Sequence, residues 1–262
     1  EFLNLKNYKK NPERTEWGWA SNNTVFAELG QDYTGLVEHI ARNGEPGVCW
    51  KKNMQEYGRM CDPRDFKDMR VQGGNPCLEQ SLESYEICCL VETFPDRHRV
   101  LAEFNDTLEL ALLYAKSVTL ALPDQWPESA EVMARNRRIG TSMSGIAQFI
   151  SKRGHQKFID WSEAGYQHLK QVDQRLSKEF GVNESFKLTS IKPSGTVSLL
   201  AGATPGVHFP HSSTYIRRIR LPADSELLTP LREAGYTIEE DQMAGPGTAV
   251  GEIPVSLGRG VK

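Results

Sequence analysis

The sequence is poor in cysteine: it has five among 262 residues, and no two form a C-x-x-C pair. An odd, sparse set argues against a secreted disulfide framework and for reduced thiols in a cytosolic setting. Without C-x-x-C spacing or a histidine close by in sequence, zinc-type ligation is not expected, and no metal site is predicted. No apolar run approaches the roughly 20 residues that span a bilayer, so no membrane association is expected. The N-terminal stretch "EFLNLKNYKKNPERTEWGWASNN" lacks the apolar centre and small-residue cleavage site of a signal peptide. Neither sign of charge dominates: 31 Lys and Arg face 34 Asp and Glu, a net charge of -3. That balance predicts no nucleic-acid partner. The short basic clusters "RNRRIG" and "IRRIR" read as solvated faces or structural arginines. Internal repeats and low-complexity segments are also absent. The chain opens on Glu1 and stops within "VSLGRGVK", so it is expected to be a piece of a longer polypeptide.

What is present is the composition of a globular domain, 39% hydrophobic and 25% charged. "NTVFAEL" predicts a strand, and "YTGLVEHIARNGEPG" a helix stopped by Asn43, Gly44 and Pro46. "EICCLVETF" predicts another strand. "FNDTLELALLYAKSVTLAL" has helical spacing, with Asn105 or Asp106 as its N-cap. Pro127 opens a helical region written "PESAEVMARNRRIGTSMSGIAQFI". "DWSEAGYQHLKQVDQRLSKEFG" closes a further helix at Lys178 and Gly181. Then "SFKLTSIKPSGTVSLLAGATPGVHF" reads as a strand, a tight loop, a short helix or strand and a Gly-rich turn, "TYIRRIRL" as a strand, and "DSELLTPLREAGYTIEE" as a helix running into a strand. Strands separated by helices predict an α/β architecture with a largely parallel sheet.

The chemistry concentrates in "GNPCLEQSLESYEICCLVE", Gly74 to Glu92. In an extended chain Asn75, Cys77 and Glu79 share one face, with Pro76 and Leu78 on the other. Cys49, Cys61 and Cys89 are expected to be packed thiols, because free cysteine behaves as a small hydrophobe. A hydrolase-type cysteine needs a base, and His98, His155 and His168 lie in contexts that suit the surface better. Hydrogen-atom transfer at an alcohol carbon fits the set better. It calls for a thiol that becomes a thiyl, a carboxylate base, an amide that holds the hydroxyl, and a second thiol that delivers electrons. Cys77, Glu79, Asn75 and Cys88 match those needs. A second motif, "IKPSGTVSLLAGATPGVHFP", places small and hydroxyl residues before a short helix. This is either a phosphate cradle or an ordinary capped turn.

"NPCLEQSL" followed by "ICCLVETFP" is similar to the finger loop of ribonucleotide reductases, and most like the adenosylcobalamin-dependent class II enzymes of the ribonucleoside-triphosphate type. "NGEPGV" (Asn43 to Val48), "RRIGTSMSG" (Arg137 to Gly145) and the "KPSGT…TPGVH" segment resemble further family segments in the same order. The resemblance implies the later part of a ten-stranded α/β barrel over residues 1–262, with a central finger loop. It implies reduction of ribonucleoside triphosphates with adenosylcobalamin and a thioredoxin-like reductant, in a monomer or dimer. Cys77 would be the thiyl, Glu79 the base, Asn75 the hydroxyl-binding amide and Cys88 one half of a redox pair. Ser194, Gly195, Thr196 and Val197 would hold phosphate, with Lys192 adding charge. The partner of Cys88, a C-terminal cysteine pair and much of the cobalamin surface would lie outside this chain. Alternatives are a class I large subunit acting on diphosphates and a nucleotide-binding homologue without catalysis.

Overall fold

The computed structural model of the chain describes residues 2–18, 21–121, 126–210, 212–242 and 245–256. It is a mixed α/β fold of two compact units, Glu1–Thr93 with His98–Met143 and Trp161–Pro193, and Phe94–Arg97 with Ser144–Asp160 and Ser194–Lys262. Among the described residues no helix is long and apolar enough to cross a membrane.

The first unit is built on parallel pairs. Strand β1 (Thr24–Phe26) and strand β2 (Gly47–Cys49) are joined through helix α1 (Thr34–Asn43), as parallel pairing requires a crossover. The β1 strand is shorter than "NTVFAEL" predicted, because the chain turns away after Ala27, whose N–H still reaches the Cys49 carbonyl at 2.9 Å. Helix α2 (Lys51–Glu56) follows, then β3 (Gly73–Gly74) and β4 (Ser81–Leu82), an antiparallel hairpin. Strand β5 (Leu90–Thr93) leads into helices α3 (Leu101–Val118) and α4 (Pro127–Asn136) and on to strand β6 (Gly140–Met143). β5 and β6 pair in parallel from Leu90↔Gly140 to Thr93↔Met143. Residues 187–190 run alongside β6: Thr141 N–H donates to the Leu188 carbonyl at 2.8 Å, and Ser190 N–H to the Thr141 carbonyl at 3.2 Å.

Two expectations need correction here, and one pair of alternatives is decided. Helix α3 starts at Leu101, not after Asn105 or Asp106, because Glu103 takes the Arg99 N–H at 2.8 Å and organises the first turn earlier. The helix opened by Pro127 ends at Asn136, where Arg137 adopts φ 42 and the chain passes into β6. "RNRRIG" is no solvated face: Arg137 and Arg138 are buried, so of the two readings the structural one holds.

The core of this unit is a pair of helices. Helix α6 (His155–Phe180) brings Trp161, Gly165, Leu169, Val172 and Leu176 to one side at helical spacing. Helix α3 answers with Phe104, Leu108, Leu112 and Ala115. Phe104 stacks on Trp161 with centroids 5.9 Å apart. A Cβ on Gly165 would stand 2.8 Å from Leu108 Cδ1, so glycine lets the helices close up. Lys116 Nζ meets Asp173 at 2.7 Å in full burial, and Ser177 Oγ also at 2.7 Å. Burial pulls the Lys116 ammonium down in pKa, with Asp173 opposing it. Phe104–Trp161, Leu108–Gly165 and Lys116–Asp173 are all separated by 57 residues, so α3 and α6 run parallel in register. Adjacent parallel helices are what crossovers between parallel strands produce.

The second unit departs from the predicted parallel sheet. It holds helix α5 (Ile146–Arg153), helix α7 (Val197–Leu200), strand β7 (Thr214–Pro222), helix α8 (Leu228–Glu233), strand β8 (Thr237–Asp241) and strand β9 (Gly245–Ser256). The strands order β7-β9-β8 and both pairings are antiparallel. β8 and β9 are too close in sequence for a crossover, which dictates their direction.

Candidate active site

The extended geometry of a strand does not run through the motif: the chain folds back. Asn75 N–H donates to the Gln80 carbonyl at 3.1 Å, and Leu78 N–H to the Asn75 carbonyl at 2.9 Å. Leu78 takes φ 59 at the tip. The shared face expected for Asn75, Cys77 and Glu79 is therefore replaced by a tight hairpin turn, since the turn breaks the two-residue alternation. Asn75 is buried, Glu79 half-buried and Cys77 exposed. Asn75 points inward, where its Oδ1 accepts from Gln80 N–H at 3.1 Å.

Cys88 comes up against this hairpin. Its thiol donates to Gln80 Oε1 at 2.9 Å, and Asn75 Nδ2 lies 3.9 Å from the sulfur. Burial, reinforced by the negative charge of Glu79, pushes the Cys88 thiol up to about 11, with Lys192 opposing. Cys89 faces the other way. It is buried, its sulfur sits 3.4 Å from the Ala115 carbonyl of α3, and burial raises its pKa. Cys49 is likewise packed, 3.4 Å from the Met54 sulfur. Cys61 departs from expectation: it is exposed, because it lies in a turn after α2 and not in the core. His155 is exposed, whereas His98 and His168 are half-buried.

Glu79 lines an open cavity of about 510 Å³ together with Gln80, Cys49, Tyr57, Lys187 and Thr189. Its Oε2 is buried and has no hydrogen-bond partner among the described residues. The Glu79 carbonyl is pinned by Ser190 Oγ at 2.6 Å. A carboxylate oxygen left free beside a cavity is suited to accept a proton from a bound hydroxyl.

Two features were missed in the sequence. The first is Gln80, only 3% exposed, which joins Asn75 and Cys88. Reading the motif as extended turned Gln80 away from its partners; the Gly-Asn-Pro run is the turn signal that would have found it. The second is a buried ion network under the hairpin. Arg138 grips Asp68 through both Nη atoms at 2.6 Å and meets Glu86 at 2.9 Å. Lys187 Nζ lies 3.2 Å from Asp68 and donates to Ser81 Oγ at 2.8 Å. Gly140 completes the floor: a Cβ there would collide with Leu90 and stand 2.9 Å from Gln80 Nε2.

The phosphate-loop candidates belong to the second unit. Ser194 is 4% exposed, adopts φ 49, and its Oγ has no partner among the described residues. Gly195 is half-buried, and Thr196 and Val197 are exposed. Helix α7 starts at Val197 and is four residues long, with Ser198 N–H returning to the Ser194 carbonyl at 3.3 Å. Lys192 lies in the first unit, where its N–H donates to Ser142 Oγ at 2.8 Å.

No protein-family profile matches the chain. Over its full length it is 56% identical to the adenosylcobalamin-dependent ribonucleoside-triphosphate reductase of Euglena gracilis, of which it covers 36%. The chain belongs to the adenosylcobalamin-dependent ribonucleoside-triphosphate reductase family. It is also 53% identical over its whole length to a probable reductase of the same kind from Dictyostelium discoideum, covering 34% of that protein. Among solved structures it matches a B12-dependent class II ribonucleotide reductase with a TM-score of 0.81 and 33% identity, over 97% of this chain and 39% of that one. The chain thus spans about a third of the length of the curated relatives it matches.

Proposed function

We propose that the chain carries the thiyl hairpin of an enzyme that reduces ribonucleoside triphosphates to 2′-deoxyribonucleotides. The observation that carries this reading is the cluster at the hairpin: a free Glu79 carboxylate oxygen at a cavity, beside Cys88 held by Gln80 and Asn75. The parallel ladders β1–β2 and β5–β6 are then parts of a ten-stranded α/β barrel, and the Asn75–Gln80 turn is its finger loop.

Of the four candidate residues Asn75, Cys77, Glu79 and Cys88, Cys77 is the exposed one, which fits a thiol that must be reached by a large cofactor. Adenosylcobalamin, when bound, supplies the radical that leaves Cys77 as a thiyl. Cys77 then takes the ribose 3′ hydrogen atom. Glu79 accepts the proton of the 3′-hydroxyl, which Asn75 orients, and the 2′-hydroxyl departs as water. Cys88 and a second thiol supply two electrons and two protons, one proton leaving with the 2′-hydroxyl as water and the other ending on C2′. Cys77 returns its hydrogen atom to C3′ and is a thiyl again, Glu79 returns its proton to the 3′-oxygen, and a thioredoxin-like dithiol reduces the disulfide that has formed. Ser194 to Val197 bind the substrate phosphates through backbone N–H groups and hydroxyls. The enzyme works as a monomer or dimer in a reducing, cytoplasmic setting. The names of the relatives support cobalamin and triphosphates over the class I reading.

The test is deoxynucleotide formation by the full-length protein with ribonucleoside triphosphates, adenosylcobalamin and a dithiol, beside Cys77→Ala. Cobalamin-dependent product that disappears in the variant supports the assignment. Product that survives in the variant moves the thiyl to another residue. No product with triphosphates or diphosphates would return the chain to a nucleotide-binding role.

A further inference from the structure

Strand β7 carries three arginines in unlike surroundings. Alternate residues of a strand face opposite ways. Arg218 and Arg220 share one face, and both meet carboxylates: Arg218 pairs with Glu239 and lies 3.9 Å from Glu252, and Arg220 pairs with Asp241. Arg217 is on the other face with Tyr215, Ile219 and Leu221, the half-buried side. Among the described residues no carboxylate pairs with Arg217, and its Nε is buried without a hydrogen-bond partner. A guanidinium drawn out of water without a counter-ion is costly, and the cost is recovered when an anion arrives.

Arg217 is aimed at the candidate phosphate loop. Its Nη2 lies 3.6 Å from where a Cβ on Gly195 would stand. In the same loop the Ser194 hydroxyl is buried and unpartnered. The loop from Ser194 to Val197 offers only neutral donors, whereas a triphosphate is a polyanion. Arginine matches phosphate with a planar fork that can reach two oxygens together.

From this placement we infer that Arg217 is the cationic binding residue of the substrate's phosphate chain. It supplies the counter-charge that the Pro193-Ser194-Gly195-Thr196 loop lacks. This rests on the reading of Ser194 to Val197 as the phosphate loop and deepens it: the loop positions the phosphate, and Arg217 neutralises it.

The experiment uses the full-length reductase, its Arg217→Gln and Arg217→Lys variants, and two readouts. One is the KM for a ribonucleoside triphosphate. The other is competitive inhibition by inorganic tripolyphosphate, which reads the phosphate subsite without the nucleoside. Loss of a charge-assisted contact predicts a KM and an inhibition constant about 10- to 100-fold higher in Arg217→Gln, with kcat falling less, and partial recovery in Arg217→Lys. Thermal midpoints of both variants accompany the assay, so that a folding defect is seen as such. Should Arg217→Gln fail to fold, the Lys variant decides: a tripolyphosphate constant equal to wild type overturns the inference, and a raised one upholds it. If the wild type reduces triphosphates but the variants keep its KM and inhibition constant, Arg217 is structural and the inference falls alone. If the wild type neither reduces triphosphates nor responds to tripolyphosphate, the loop reading falls first, and the inference with it.

Discussion

Cys88 and Gln80 are joined side chain to side chain: the thiol donates to Oε1 across 2.9 Å. The bond keeps the sulfur protonated, because Oε1 is an acceptor and favours the S–H form. Burial acts in the same direction and is the larger cause, and the Glu79 charge adds to it, so the thiol titrates near 11.

A consequence can be measured on the thiol itself. The thiolate is the form that alkylates, so the rate at Cys88 should climb with pH toward about 11. Glu79→Gln removes a negative charge that opposes ionisation. The pKa of Cys88 should fall, and iodoacetamide should react severalfold faster at pH 9 in a background without the exposed Cys61 and Cys77. A rate unchanged or slower would show that Glu79 does not act on this sulfur.

Adjacent cysteines should answer differently to the same substitution. Cys88→Ser in the full-length enzyme is expected to cut dithiol-driven turnover to background. Cys89→Ser should keep turnover, since that side chain lies against the Ala115 carbonyl of α3 and away from the hairpin. Its cost should appear in stability as a polar group placed in an apolar pocket, about 1–3 kcal/mol. The opposite pattern would transfer the redox role proposed for Cys88 to Cys89.

The ion network under the hairpin should be costly to break on one side only. Arg138→Met leaves Asp68 and Glu86 buried without their main partner, a loss of about 3–5 kcal/mol by the usual measure of such pairs. The urea midpoint of the variant reports it. A change below about 1 kcal/mol would mean that Lys187 alone can hold Asp68.

Gly140 links the sheet to the site, and its replacement should register in both. Gly140→Ala forces a methyl against Leu90 and Gln80 Nε2. The expected cost is about 1–3 kcal/mol of overpacking, with altered Cys88 alkylation because Gln80 must shift. Pairing it with Leu90→Ala should return part of the stability. Normal melting and normal thiol reactivity together would show that no such crowding exists.

Much of this was legible in the residues, and the misses have physical causes. The apolar spacing of α3 and α6 and the strand at "TYIRRIRL" follow from local periodicity, and all appear in the fold. Boundaries failed where long-range contacts decide. α4 stops at Arg137 because that residue turns left-handed and its guanidinium reaches the Thr119 carbonyl. The strand expected to open "SFKLTSIKPSGTVSLLAGATPGVHF" shrinks to a bridge between Thr141 and Thr189. At the site, the types of the hairpin residues were informative, but their arrangement was not. The partners of Cys88 come from a turn that an alternating pattern conceals. Asp68, Arg138 and Lys187 meet across long stretches of sequence, where no local pattern announces them.

The two-residue ladder beneath the hairpin has a bearing on transplantation. So short a stem contributes little hold of its own; the turn keeps its shape because Ser81 is clasped by Lys187 and Arg138, and Gln80 is pressed by the chain at Gly140. A hairpin spliced into another scaffold would leave these grips behind and lose its form. The portable piece is a discontinuous one: the hairpin travels only with Asp68, Glu86, Arg138, Gly140 and Lys187.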